Sequence, residues 1–296
     1  MSVGAALRRR GPPDAHRFAH PVVRQALHEP DVVCMQELWI ADAAELFDGL
    51  GHTNKLRDQR GPSLRPLAAG GSGLGMASTL PVLRQEVRTF RAAPIWTDRL
   101  ALKGMIYARL RVSEDPVREL DLLTTHLQAS QRPGSQLVRE QQLRELREAV
   151  DELGAPTRGF LLCGDLNIDG LRSSRNGEYE HLTRLFSDFV DLGAPADRAT
   201  MCPVPRVNDL AFRYWADEPM QRIDYMLFRP PIDDSLVADG CEVVLDGRLP
   251  PYGGDATFAS DHFGLRARLH LNGVEHATQL RGVPVLLAGA GPGPSR

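Results

Sequence analysis

Two runs of unbroken apolar residues, each ending on polar chemistry, constrain this chain more than any other feature. Val32-Val33-Cys34-Met35 leads straight into Gln36-Glu37, and Phe160-Leu161-Leu162-Cys163 leads into Gly164-Asp165. A run of four apolar residues without alternation marks a strand covered on both faces. Such strands require a sheet with another layer on each side, so the chain calls for a layered α/β core. With 296 residues, 42% hydrophobic and 25% charged, there is material for one large core. Whole-chain disorder, collagen-like and coiled-coil architectures are excluded by the same balance.

Helices and strands interleave around these runs. Residues 14–27, 41–50, 135–153 and 179–186 read as helices. In the third, apolar residues recur at helical spacing among Glu/Arg pairs. Residues 74–78, 81–90, 105–112, 119–124, 223–228 and 265–271 read as strands, and 54–71 as a Gly/Pro/Arg-rich loop. No polar linker and no internal repeat divides the chain. A single domain over 1–296 is expected, with flexible ends at 1–13 and 283–296.

Bulk properties narrow the partners. The net charge is −3, so no global positive field exists to hold nucleic acid, which makes it the less favoured partner. Cys34, Cys163, Cys202 and Cys241 show no C-x-x-C spacing, which argues for buried free thiols over a zinc site or a disulfide framework. No apolar stretch is long enough to span a membrane, and Met1 to Arg10 leads into no signal-like apolar segment. A cytoplasmic protein is expected as the chain stands, or a secreted one if its start lies upstream.

The chemistry collects where the apolar runs stop. Gln36-Glu37, Thr125-His126, Asp165 with Asn167, Asp224, and Ser260-Asp261-His262 all sit at strand ends. Sites in α/β sheets gather there because the scaffold is rigid and the loops are free. Glu37 and Asp261 are hard oxygen donors with no thiolate beside them, which favours Mg²⁺, or Mn²⁺ or Ca²⁺, over zinc. His262 can take a proton from water, with Asp224 as the candidate carboxylate that orients it. His126 and Asn167 can donate to phosphoryl oxygens. Cation, activated water and oxyanion donors together describe phosphate-ester hydrolysis. Taken singly, each residue has a bland reading as a loop carboxylate, a satisfied histidine or a common turn pair; their combination carries the argument.

The ordered set resembles the endonuclease/exonuclease/phosphatase superfamily. Its signature is matched by Asp31-Val32-Val33-Cys34-Met35-Gln36-Glu37, Thr125-His126, Gly164-Asp165-Leu166-Asn167, Arg222-Ile223-Asp224-Tyr225 and Ser260-Asp261-His262, which together cover most of the chain. The resemblance implies a four-layer α/β sandwich, two packed mixed β-sheets flanked by helices. It implies Glu37 as metal ligand, Asp261 supporting the metal, and His262 as general base oriented by Asp224. Asp165 and Asn167 would place water, phosphate or leaving group, and His126 would stabilise the charged transition state. The superfamily usually begins with a strand carrying an Asn near the metal. No such strand or Asn stands before residue 14 here, so the fold is expected to be missing its first strand or to begin upstream.

Two details resemble the neutral sphingomyelinase branch. One is Thr125-His126-Leu127-Gln128-Ala129; the other is Asp98 and Lys103, five residues apart. They imply Lys103, Asp98 and Gln128 at the substrate. Lys103 is one of only two lysines against 33 arginines. The implied function is a Mg²⁺-dependent phosphodiesterase of lipid metabolism acting on sphingomyelin, with a phospholipid substrate and transient contact with a membrane surface. Alternatives are a nuclease, an inositol-phosphate phosphatase, and a degenerate non-catalytic relative. Trp39, Trp96 and Trp215 read as core or site wall more readily than as membrane contacts.

Overall fold

The computed structural model describes residues 15–39, 41–58, 71–95, 98, 102–173, 177–255, 257–272 and 280–287. Strand β1 (Val32–Gln36) is buried along its whole length, as its apolar run requires. Its alternate side chains feed two different cores. Val32 and Cys34 pack with Ile106, Leu122, Leu161 and Met226 from the opposite sheet. Val33 and Met35 pack with Val23 and Leu27 of helix α1 (Pro21–His28) and with Leu46 and Phe47 of helix α2 (Ala41–Asp48).

The first sheet adds β2 (Asn54–Arg57), β3 (Gly75–Ser78), β10 (Leu236–Val244), β11 (Gly264–Leu271) and β12 (Leu280–Leu287) to β1, in the order β10-β11-β12-β1-β3-β2. The second runs β4-β5-β6-β7-β9-β8, built from β4 (Val82–Thr89), β5 (Gly104–Glu114), β6 (Val117–His126), β7 (Gly159–Asp165), β8 (Val190–Asp191) and β9 (Asp224–Arg229). Helices α3 (Ser135–Leu153) and α4 (Gly177–Leu185) cover its outer face. Leu143, Leu146 and Val150 of α3 meet Tyr107, Leu123 and Phe160 there. The four layers are those implied by the sequence resemblance.

Two sequence expectations change. Residues 14–27 do not make one helix: a 3₁₀ turn (Ala15–Ala19) precedes α1. Pro21 has no N–H to continue a preceding turn, and His20 caps the new helix by accepting the Val22 N–H at 3.1 Å. The segment expected to be loop over 54–71 contributes β2, which pairs antiparallel with β3, because Asn54 to Arg57 lies beside an edge that β3 leaves open. Residues 280–287, which include the start of the end expected to be flexible, form β12. This strand lies parallel to β1, with Cys34 opposite Val285, and antiparallel to β11, with Leu265 opposite Val285. Without it, β1 and β11 would each carry an unpaired edge in mid-sheet. Among the described residues no strand precedes β1, as expected, and β1 is paired on both sides, by β12 and β3. Residues 1–13 and 288–296, also expected to be flexible, lie outside the described residues.

Candidate active site

Strand register assembles the centre of the site. His126 at the end of β6 stands opposite Asp165 at the end of β7, and Asp165 stands opposite Asp224 at the start of β9. Gly164 makes this approach possible. Its φ is +137°, and a Cβ there would lie 2.0 Å from the Thr125 carbonyl oxygen. Across the sandwich, Gln36 donates to the Thr124 hydroxyl at 3.1 Å, tying the end of β1 to β6 and bringing Glu37 to the same place. Glu37 and Asn167 both leave their strands in left-handed conformations, φ +58° and +53°. Such backbone costs on the order of 1–3 kcal/mol and collects at functional sites. At Asn167 the turn is held by its own N–H on Asp165 Oδ1 at 2.8 Å and by Nδ2 on the Leu127 carbonyl at 3.2 Å.

The expected pair forms: His262 Nδ1 lies 3.0 Å from Asp224 Oδ2. One oxygen or nitrogen each of Asp165, Asp224 and His262 fall within 4.8 Å of one another, an arrangement able to hold a metal ion. Glu37 and Asp261, the metal ligands expected from the sequence, stand against the same cluster: the charges of Asp261, Lys103, His262 and Asp165 all act on Glu37.

The charges explain the electrostatics. Burial, then Asp261, pushes Glu37 up to about 8. Burial, then Asp224, pushes Asp165 up to about 7. Burial works against a charged His262, but Asp224 overrides it, with Asp261 and Asp165 assisting, and the ring rises to about 10. Burial, followed by Lys103 and His262, holds His126 well below its ordinary range, so it is neutral. When ionised, the four carboxylates outnumber the two cations, His262 and Lys103, by two charges. Asp224 Oδ1 is buried with no hydrogen-bond partner. Hard oxygen donors, surplus negative charge and an orphaned carboxylate oxygen fit a hard divalent cation.

Lys103 is 1% exposed, its Nζ 3.5 Å from Asp98 Oδ2 and without a hydrogen-bond partner. It lies 6.0 Å from the Trp39 ring centroid, and Trp39 lies 6.2 Å from His126, so Trp39 is site wall. Trp96 lies outside the described residues. Asp98 and Gln128, expected at the substrate, also tie loops together. Gln128 accepts the Ile95 N–H at 2.9 Å and donates to the Ala129 carbonyl, while Asp98 Oδ2 accepts the Ala129 N–H at 2.7 Å. These bonds clamp the loop after His126 to the loop that precedes Lys103. Arg139 supports the same loop, donating to the carbonyls of Gln128 and Ser130 while paired with buried Glu178.

Sequence reasoning missed the segment between residues 199 and 221. Thr200 Oγ1 accepts the N–H groups of Ile223 and Asp224, and its carbonyl accepts the Phe263 N–H at 2.7 Å. Asn208 donates to the carbonyls of Ser260 and Asp261, and Trp215 donates to the Asp261 carboxylate. The one available signal was Asn208-Asp209, a helix N-cap pair before an amphipathic stretch.

A two-sheet α/β sandwich thus carries a His–Asp pair and clustered carboxylates where its strands end. The chain belongs to the Endonuclease/Exonuclease/phosphatase family, whose profile matches residues 10–262. Its fold is similar to beta toxin 275-280 from Staphylococcus aureus, at 18% identity and TM-score 0.69 over 89% of this chain and 94% of that one. It is similar to sphingomyelinase C from Streptomyces griseocarneus, at 20% identity and TM-score 0.67 over 86% and 91%. It is also similar to D. rerio TDP2 complexed with a single-strand DNA product, at 18% identity and TM-score 0.63 over 86% and 92%. A sequence search of curated proteins found no match. Among the described residues no helix is long and apolar enough to cross a membrane.

Proposed function

We propose that this protein is a divalent-cation-dependent phosphodiesterase of the sphingomyelinase type, releasing phosphocholine from sphingomyelin. The observation that carries the hydrolytic reading is the His262–Asp224 pair, 3.0 Å apart, set among Asp165, Asp261, Glu37 and His126. Glu37 and Asp261 would hold Mg²⁺ or Mn²⁺, with Asp165 and Asp224 adding charge beside them. When bound, the cation supplies the positive charge that keeps these carboxyls ionised, brings His262 down from about 10, and polarises the phosphoryl group.

His262 accepts the proton of the attacking water while Asp224 holds Nδ1 and fixes the ring. The water oxygen bonds to phosphorus as the bond to the ceramide oxygen breaks. His126, held neutral with its Nε2 3.5 Å from Asp165 Oδ2, donates to the phosphoryl oxygen where charge accumulates. Lys103, buried, adds a positive charge that acts on it. Asp165 and Asn167 place the water or the leaving group.

The lipid choice draws support from the Leu127-Gln128-Ala129 string, from Asp98 with Lys103, and from the likeness to sphingomyelinase C. The likeness to TDP2 supports a nuclease as the second reading. Purified protein with Mg²⁺ is to be assayed on sphingomyelin vesicles and on DNA, abasic sites included. Phosphocholine release is the expected result. Cleavage of DNA alone overturns the lipid assignment, and failure to hydrolyse either, with no Mg²⁺ binding by calorimetry, marks a non-catalytic relative.

A further inference from the structure

Helix α5 (Asp209–Trp215) grips the loop carrying Asp261 from both of its ends. At the first end, Asn208 caps the helix, its Oδ1 accepting the Leu210 and Ala211 N–H groups at 3.2 and 3.1 Å. The same side chain uses Nδ2 to hold the carbonyls of Ser260 and Asp261 at 2.9 and 3.3 Å. At the other end, the Trp215 indole N–H donates to Asp261 Oδ2 at 3.0 Å. Asp261 Oδ1 receives the Ser260 hydroxyl at 3.1 Å. Each oxygen of this 4%-exposed carboxylate therefore has its own donor, and its plane is fixed. Ser260 and His262 are chain neighbours of Asp261, so the loop itself sets the Oδ1 side. The Oδ2 side depends on a residue 46 positions away. Trp215 is only partly buried, and a phenyl ring would fill much of its space without supplying the N–H.

We propose that Trp215 is a positioning residue of the site, acting through Asp261: its indole N–H orients that carboxylate towards Glu37 and His262 and so sets how tightly the site takes a divalent cation. This role rests on the reading of the cluster as a cation centre. Asp261 is the charge that weighs most on Glu37 after burial, and it also acts on His262, so its orientation reaches the whole cluster. Partners behind the groups that hold a metal change its affinity by about 10- to 100-fold when removed.

The test is a calorimetric titration of the full chain with MgCl₂ and MnCl₂, using wild type, W215F, D261N and the double variant. Expected is an affinity about tenfold weaker in W215F, with circular dichroism unchanged. In the D261N background the same substitution should change affinity less than about twofold, because the residue through which Trp215 acts has lost its charge. Unchanged affinity in W215F, or a full tenfold loss in both backgrounds, overturns the role while leaving the cation centre standing. A wild type that binds neither cation overturns the centre and this role together. Should W215F not fold, the indole N–H resonance of Trp215 in wild type reads the same contact. It should shift during the Mg²⁺ titration with the calorimetric midpoint, and a resonance indifferent to a bound cation overturns the role.

Discussion

Substituting Asp224→Asn isolates the interaction at the centre of the proposed chemistry. His262 Nδ1 and Asp224 Oδ2 are 3.0 Å apart, with Asp224 almost fully buried. His262 rises from 6.5 to about 10, against the opposing effect of burial, with Asp224 the strongest raising influence through both charge and hydrogen bond. A shift of that size corresponds to about 5 kcal/mol favouring the protonated ring. Asparagine keeps the shape and removes the charge, leaving burial opposed only by Asp261 and Asp165. In cation-free protein, His262 should then titrate near or below its ordinary 6.5, a fall of roughly 3 units or more. A proton-detected NMR titration of the imidazole in EDTA reads this directly. With the cation present, turnover should drop by roughly 10²–10⁴, the range expected when a base loses the group that orients it. A His262 that still titrates near 10 in the variant would refute the assignment of its shift to Asp224. Near-normal turnover would refute the base–orienter pairing.

Further outcomes follow from the same geometry. His262→Ala should lower turnover by several orders of magnitude with circular dichroism unchanged; near-full activity would remove His262 from the base role. Lys103→Arg retains charge but must fit a longer, planar group into a site 1% exposed, and should cost about tenfold or more in turnover on vesicles. Gly164→Ala places a Cβ 2.0 Å from the Thr125 carbonyl oxygen at φ +137°, and should cost more than about 3 kcal/mol, read as a fall in Tm of many degrees. The pH dependence has a definite sign. Folding raises Glu37 from 4.5 to about 8, Asp165 from 3.8 to about 7 and His262 from 6.5 to about 10. Below about pH 6.5 the carboxyl shifts are opposed by His126 and His52, both held below their ordinary range by burial. Above it those two rings are neutral folded or unfolded, the native chain binds more protons than the unfolded one, and stability in EDTA should fall as pH rises from about 7 to 10. Mg²⁺ should restore stability at the alkaline end, and a Tm in EDTA that climbed with pH from about 7 to 10 would contradict these shifts.

The sequence by itself determined the layers and the central chemistry. Val32 to Met35 and Phe160 to Cys163 are apolar without alternation, and a strand so made can only be buried on both faces. Glu37 and Asp165 follow those strands directly and Asp224 opens a third, so the three were legible as strand-end chemistry. Their family motifs also gave His262 and its partner. What the tertiary structure decided is of two kinds. The first is strand order. Nothing local in residues 280–287 shows that they lie between β1 and β11, because pairing across more than 200 positions is set by which edges remain open. The second is which polar atoms are already engaged. Gln128 and Asp98 resemble substrate contacts in the sequence, and the fold also engages both with backbone groups of the neighbouring loops. Trp215 and Asn208 resemble ordinary helix residues, yet they reach Asp261. A residue's type gives the hydrogen bonds it can make; only the packed chain determines which of them remain for a ligand.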